Sequence, residues 1–195
     1  MSKEKLDLRI VKTRKAITES FLELLQIKEY DRITVQDIAD RAMINRNTFY
    51  LHYLDKPDLL DKLYSDYTNK LNVCADRKTD KYQEITKEIL SEVLLDLFNV
   101  IDTHLMFFKP VLVQKGLPDF SFHLKMALKK FIFSDIMDLE NKFHLQIEME
   151  YIISGLAGVI CFWILHSEDH IIEEMIAQIC ELHFDNLSNV LSKLG

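Results

Sequence analysis

Apolar side chains recur along this chain at intervals of three and four residues, the signature of helices that bury one face. Ile17, Phe21, Leu24 and Leu25 mark a helix over about residues 13–28. Val35, Ile38, Ala39 and Ala42 mark a short second helix, and Thr34 with Asp37 three residues on reads as the N-cap and N3 acid of a capping box. Asn45, a good N-cap, opens another short helix reaching about residue 53. Asp55, Pro57 and Asp58 begin a longer one that extends to about residue 71, with proline in the first turn and acids near the positive end of the dipole. Ile85, Ile89, Leu94, Leu97, Ile101 and Phe108 predict a single long helix over about 82–108. The segment 109–118, which contains Pro110, Gly116 and Pro118, is the clearest break. Helices over about 119–139, 148–166 and 169–194 follow, the last capped by Asp169. The expectation is an all-α chain of eight or nine helices with no strand.

Composition narrows what those helices do. A chain that is 48% hydrophobic and 28% charged is an ordinary soluble globular sequence with a sizeable core. Four Gly and three Pro among 195 residues leave little material for hairpins or phosphate-cradling loops. No G-x-S-x-G, H-E-x-x-H, Walker or G-x-G-x-x-G pattern occurs, so neither an enzyme nor a cofactor is expected. Cys74, Cys161 and Cys180 are odd in number and lack C-x-x-C spacing, which fits a reducing, cytoplasmic setting better than a disulfide or zinc framework. His166 and His170 lie among Glu168, Asp169, Glu173 and Glu174, but a cap at Asp169 makes them straddle a helix break, so no metal site is expected. The apolar run from Tyr151 to Leu165 spans 15 residues, short of the roughly 20 a membrane helix needs. It reads as a buried core or interface helix, and charges interrupt any signal-peptide pattern at the N-terminus.

A net charge of −7 speaks against nucleic acid until it is divided. Residues 1–60 carry 11 basic and 10 acidic side chains, while residues 61–195 are net −8. Two short helices joined through Ala42 to Ile44, with a longer helix before them, have the spacing of a helix-turn-helix unit. In its second helix, Phe49 and Tyr53 face the core, leaving Arg46, Asn47, Thr48, Tyr50, Leu51 and His52 on a surface without a carboxylate. Arg46 suits guanine O6 and N7, and Asn47 suits adenine N6 and N7, each worth about 1–3 kcal/mol of discrimination when bidentate. Lys56 opposes the dipole of its own helix, a cost that a phosphate docked there would reverse. Thr34 offers a hydroxyl and an N–H in the same way. The basic N-terminal stretch, placed before the first helix, is expected to act as an arm along or in the minor groove.

The run T-V-Q-D-I-A-D-R-A followed by N-R-N-T-F-Y-L-H-Y-L-D-K-P-D-L-L closely resembles the DNA-binding domain of TetR/AcrR-family transcriptional regulators, over about residues 12–63. The resemblance implies that Arg46, Asn47, Thr48 and Leu51 approach bases, while Thr34, Asn45, Tyr50, His52 and Lys56 touch the backbone of a pseudo-palindromic double-stranded operator. Met43 departs from a glycine common in the family's turn, and Asn47 from a frequent glycine in the recognition helix. A methionine there is expected to shift the turn, because a side chain disfavours positive φ. The segment from Tyr151 to Trp163 is similar to the C-terminal region of Gram-positive regulators related to activators of dihydroxyacetone kinase operons.

One such unit reads too few base pairs, so a homodimer is expected, with an interface in the C-terminal part. Its last two helices are apolar over more than one stripe, which nominates Leu156, Ile160, Trp163, Ile164, Ile172, Ile176, Ile179, Leu187 and Val190 as the interface. The resemblance implies a repressor released by a small apolar or aromatic effector, for which His104, Met106, Phe107, Phe108, Phe131, Tyr151, Phe162 and Trp163 are candidate pocket residues. A C-terminal domain that docks a protein coactivator is the alternative. The expected organisation is a head with its arm over 1–54, a connecting helix over 55–71 and a dimerisation and regulatory domain over 72–195.

Overall fold

The computed structural model describes residues 3–79, 86–115, 117–133 and 143–192. Among these residues are α1 (Lys3–Ile27), a 3-10 turn (Tyr30–Arg32), α2 (Val35–Arg41), α3 (Arg46–Tyr50) and α4 (Lys56–Thr79). They continue with α5 (Lys87–Thr103), α6 (Leu105–Val113), α7 (Phe120–Phe133), α8 (Phe143–Leu165) and α9 (Ile172–Ser192), and no described residue lies in a strand. The chain forms two compact units, one of residues 1–67 with 113–118 and one of residues 68–112 with 119–195. The division falls inside α4, and the segment after α6 belongs to the first unit.

In the first unit Ile17, Phe21, Leu24 and Leu25 of α1 are buried with Ile38 and Ala39 of α2, Phe49 of α3, Tyr53, and Leu59 and Leu60 of α4. An Arg41–Glu23 ion pair ties α2 to α1. α1 begins at Lys3, ten residues earlier than the apolar pattern shows, because the charged residues before Thr13 contain no glycine or proline to stop a helix. The expected arm is thus helical from Lys3, and a helix about 10 Å across is too wide to lie in a minor groove about 6 Å wide, though it could lie along one. At the other end of α1, Gln114 donates through Nε2 to the carbonyls of Leu25 (2.8 Å) and Lys28 (3.3 Å) and accepts the Tyr30 N–H at 2.8 Å. Its side chain satisfies backbone groups that a helix terminus leaves open.

In the second unit α5 packs against α9 and α8, α7 against α8, and α8 against α9. The single helix expected over 82–108 is two, separated at His104, whose φ of −124° and ψ of 24° end α5. α6 then runs through Pro110 to Val113, so the expected break at 109 comes later. A proline inside a helix costs about 3 kcal/mol. Burial of Phe107, Phe108 and Val111 in the same two turns offsets it, at about 1.5–3 kcal/mol for each side chain.

α8 has 23 residues and a mean hydropathy of 1.6 over its most apolar window, long and apolar enough by composition to cross a membrane. The helix expected over about 148–166 starts earlier, at Phe143, and so extends well before the 15-residue apolar run. Leu145, Met149, Ile152, Ile153, Leu156, Ala157, Ile160, Trp163 and Ile164 are packed inside the unit, as in a core helix. α9 starts at Ile172, with the Met175 N–H bonded to Ile171 O. Asp169 is therefore not its cap; it lies in the preceding turn, where its N–H donates to His166 O. The rings of His166 and His170 lie against Phe162, with centroids 4.5 and 5.8 Å away.

Candidate nucleic-acid interface

Local capping chemistry fixes α2 at both ends and α3 at its start. At Thr34 a complete capping box starts α2: the Thr34 hydroxyl oxygen accepts the Asp37 N–H, and the Asp37 carboxylate accepts the Thr34 N–H. α2 ends in a Schellman arrangement, in which the Ile44 N–H donates to Ala39 O at 3.0 Å and the Met43 N–H to Asp40 O at 3.2 Å. Met43 sits at the position glycine usually fills, with φ of 53°. The expectation that methionine shifts the turn is corrected, because the turn keeps its glycine geometry and accepts the strain. Asn45 caps α3 by accepting the Asn47 N–H on Oδ1 at 2.8 Å.

α3 is one turn and a half long, and it projects its polar side chains while anchoring through Phe49. Phe49 is fully buried and lies 5.6 Å from the rings of both Tyr50 and Tyr53. Arg46, Asn47, Tyr50 and Leu51 are exposed; Thr48 and His52 are half-buried. Arg46 folds along the helix onto Tyr50, with Nη2 and Nε at 3.0 and 3.3 Å from the phenol oxygen. Burial, and then the charge of Arg14 on α1, depress the His52 pKa. Arg14 is thus close enough to join the site, and only its place in the basic run hints at this in the sequence. The surface so formed offers donors, two amides and a leucine, and no carboxylate, as phosphates and base edges require.

Two expected phosphate contacts are already bonded within the protein. The Lys56 ammonium donates to Tyr30 O at 2.6 Å and lies 3.9 Å from the centre of the Tyr30 ring. A carbonyl and a π-face thereby meet the charge that opposes the dipole, and burial lowers the Lys56 pKa. The Thr34 N–H and hydroxyl both donate to Asp37 Oδ2, at 2.9 and 2.8 Å, so that carboxylate occupies the place a phosphate would take. A phosphate at Thr34 or Lys56 would have to share or replace these bonds.

A family model described as "Bacterial regulatory proteins, tetR family" matches residues 17–63, and one described as "Transcriptional regulator C-terminal region" matches residues 88–185, half of the chain. The chain belongs to the TetR family. The TetR transcriptional regulator from Streptococcus agalactiae 2603V superposes with a TM-score of 0.65 at 22% identity, covering 93% of this chain and 98% of that one, which shows the fold. Over 63 residues, 31% of this chain, it is 44% identical to the uncharacterized HTH-type transcriptional regulator YxbF of Bacillus subtilis (strain 168). Over 65 residues, 33% of this chain, it is 34% identical to DhaS, the HTH-type dhaKLM operon transcriptional activator of Lactococcus lactis subsp. lactis (strain IL1403). These matches span 17% and 35% of the two relatives' own lengths.

In this TetR-family chain the second unit departs from the residue assignments made on pattern. Leu156, Ile160, Trp163, Ile164, Ile176, Ile179, Leu187 and Val190 are buried within the chain's own core, and Ile172 is half-buried, so they present little or no surface to a second chain. The surface of α8 instead carries Tyr151 (70% exposed), Phe162 (49%) and Leu165 (40%), and that of α9 carries Leu182 (61%).

The expected pocket residues do not converge either. Phe107 meets Phe108 edge-on, Phe108 packs on Phe120, and Trp163 packs edge-on against Phe98 at 4.9 Å with its Nε1–H bonded to His170 O. Met106, Tyr151 and Phe162 are exposed, and His104 Nε2 is 2.9 Å from Lys70 Nζ. Phe131 has its side chain outside the described residues. An apolar cavity of about 20 Å³ lies elsewhere, among Leu71, Leu90, Val93, Leu94, Leu97, Leu124, Ala127, Leu128, Ile132 and Leu156. It has room for little more than one water and no polar group to hold it.

Proposed function

We propose that this TetR-family regulator acts in the cytoplasm as a homodimer on a pseudo-palindromic operator, each protomer reading one half-site with α3. The observation that carries this reading is the carboxylate-free face of Asn45, Arg46, Asn47, Thr48, Tyr50, Leu51 and His52, held on a buried Phe49. A second copy covering Tyr151, Phe162 and Leu165 of α8 with Leu182 of α9 would remove four large side chains from water and pair two heads. The decisive experiment is the salt dependence of binding to duplex DNA. About six neutralised phosphates per dimer give a log–log slope near −5. A response that is flat in salt contradicts the reading.

Control by the second unit has two forms with different structural demands. A repressor released by a small apolar effector needs a site, and the Leu-lined cavity must open well beyond its about 20 Å³ to provide one. A regulator that docks a protein coactivator needs only an exposed apolar patch. The small size of the cavity among the described residues favours the second form, as do the exposed Phe122 and Met126 one turn apart on α7 and the activator role stated for DhaS. Titrating long-chain apolar ligands against the pure dimer separates the two, since only the first form predicts release from DNA without another protein.

A further inference from the structure

The pair formed by Arg46 and Tyr50 has a consequence for how bases are read, which rests on the operator reading above. The two residues are four apart on α3 and share its exposed face. Both the Nε–H and one Nη2–H of Arg46 converge on the Tyr50 phenol oxygen, and the guanidinium carbon lies 5.6 Å from the ring centroid. The ring does not drift with its partner, because it meets fully buried Phe49 edge-on at 5.6 Å and 89°. Arg46 is therefore braced, through tyrosine, against the core of the head.

Donor and acceptor counts limit what each group still offers. A phenol oxygen has two acceptor sites and one hydrogen, and a guanidinium has five N–H donors in a rigid fork. With both acceptor sites taken by Arg46, the Tyr50 O–H remains as a donor for an outside oxygen. With its Nε side taken, Arg46 presents its end-on edge, the two hydrogens of Nη1 and the second hydrogen of Nη2. An unbraced arginine at this position would reach many acceptors, phosphates among them, whereas a bidentate guanine contact needs one orientation of the fork.

We propose that Tyr50 is a specificity-determining positioning residue: its hydroxyl holds Arg46 end-on to a base edge and links that contact to a phosphate that accepts the Tyr50 O–H. Polarisation along the phosphate, phenol and guanidinium strengthens each bond when the others form, so base reading improves when the head is correctly docked. The role differs from a plain backbone contact, which adds affinity without regard to sequence.

The test is a double-mutant cycle with Tyr50→Phe and Arg46→Ala, read as base preference. The best-bound duplex from a randomised pool is compared with three variants carrying the other base pairs at the position whose preference Arg46→Ala abolishes. Tyr50→Phe keeps the ring on Phe49 and under the guanidinium and removes only the hydroxyl. It is expected to reduce the preference at that position by about tenfold while Arg46 is present. In the Arg46→Ala background it is expected to weaken all four duplexes equally. Equal weakening of all four with Arg46 present, or no weakening at all, overturns the proposal and leaves operator binding standing. An unmodified protein that retains no duplex overturns the operator reading and this proposal with it.

Discussion

Met43 shows what a single residue contributes to the reading head. A non-glycine residue in the left-handed region costs about 1–2 kcal/mol, and Met43 has φ of 53° with its side chain 92% exposed. Replacing it with glycine relieves that strain while adding about 0.4–1 kcal/mol of freedom to the unfolded chain. The net expectation for Met43→Gly is a gain of up to about 1.6 kcal/mol, seen as a higher denaturant midpoint with an unchanged slope. A loss of stability would show that the methionine side chain makes a contact of greater worth than the strain. Asp37 gives a pH signature at the same scale. Hydrogen bonds from Lys28 and from the Thr34 N–H and hydroxyl hold its pKa at about 2, against an ordinary 3.8. A depressed carboxyl contributes stability that is full above its unfolded value and lost as pH falls through its folded one. Asp37→Asn should therefore flatten the fall in melting temperature between about pH 4 and pH 2; an unchanged acid slope contradicts the bond assignment. The Thr34–Asp37 box and the Asn45 cap were legible in the sequence because their partners are two or three residues apart. The Lys56–Tyr30 bond joins residues 26 apart, and nothing in the local pattern announces it.

Among the elements, helix identity was more legible than helix extent. Periodicity locates the described α-helices other than α6, but α1 runs ten residues beyond its apolar pattern into charged sequence, and the helix expected over 82–108 divides at His104. That division has no glycine or proline to signal it, and the proline that is present, Pro110, lies inside α6 because buried phenylalanines outweigh its cost. Gln114 is the clearest omission. Its side chain closes the end of α1 and holds the Tyr30 N–H from 84 residues away, in a segment that reads only as a break. Gln114→Ala should cost about 1–3 kcal/mol, since it leaves part-buried backbone groups without their partners. Amide hydrogen exchange at Tyr30 is the sharper check: it should accelerate in the variant while the amides of α8 keep their protection. Unchanged exchange at Tyr30 would mean that the latch carries no load.

At the scale of the whole molecule, the apolar pattern announces that α8 and α9 have more than one use without saying which face serves which. Both helices carry apolar side chains on more than one stripe, so periodicity alone assigned the stripe of Leu156, Ile160 and Ile179 outward, and packing against α5 and α7 turns it inward. Charge is legible at this scale where packing is not. Residues 1–60 are net +1 and residues 61–195 net −8, so in the proposed dimer the two heads would be the parts that DNA repels least. Whether the proposed dimer reads DNA through α3 is decided by selecting bound duplexes from a fully randomised pool. Enrichment is expected of a pseudo-palindrome whose half-sites have centres about one helical turn, roughly 34–36 Å, or a multiple of it apart, with loss of that enrichment in Arg46→Ala with Asn47→Ala. A pool that emerges without a common sequence, or an enriched site that the double variant still selects, would contradict it.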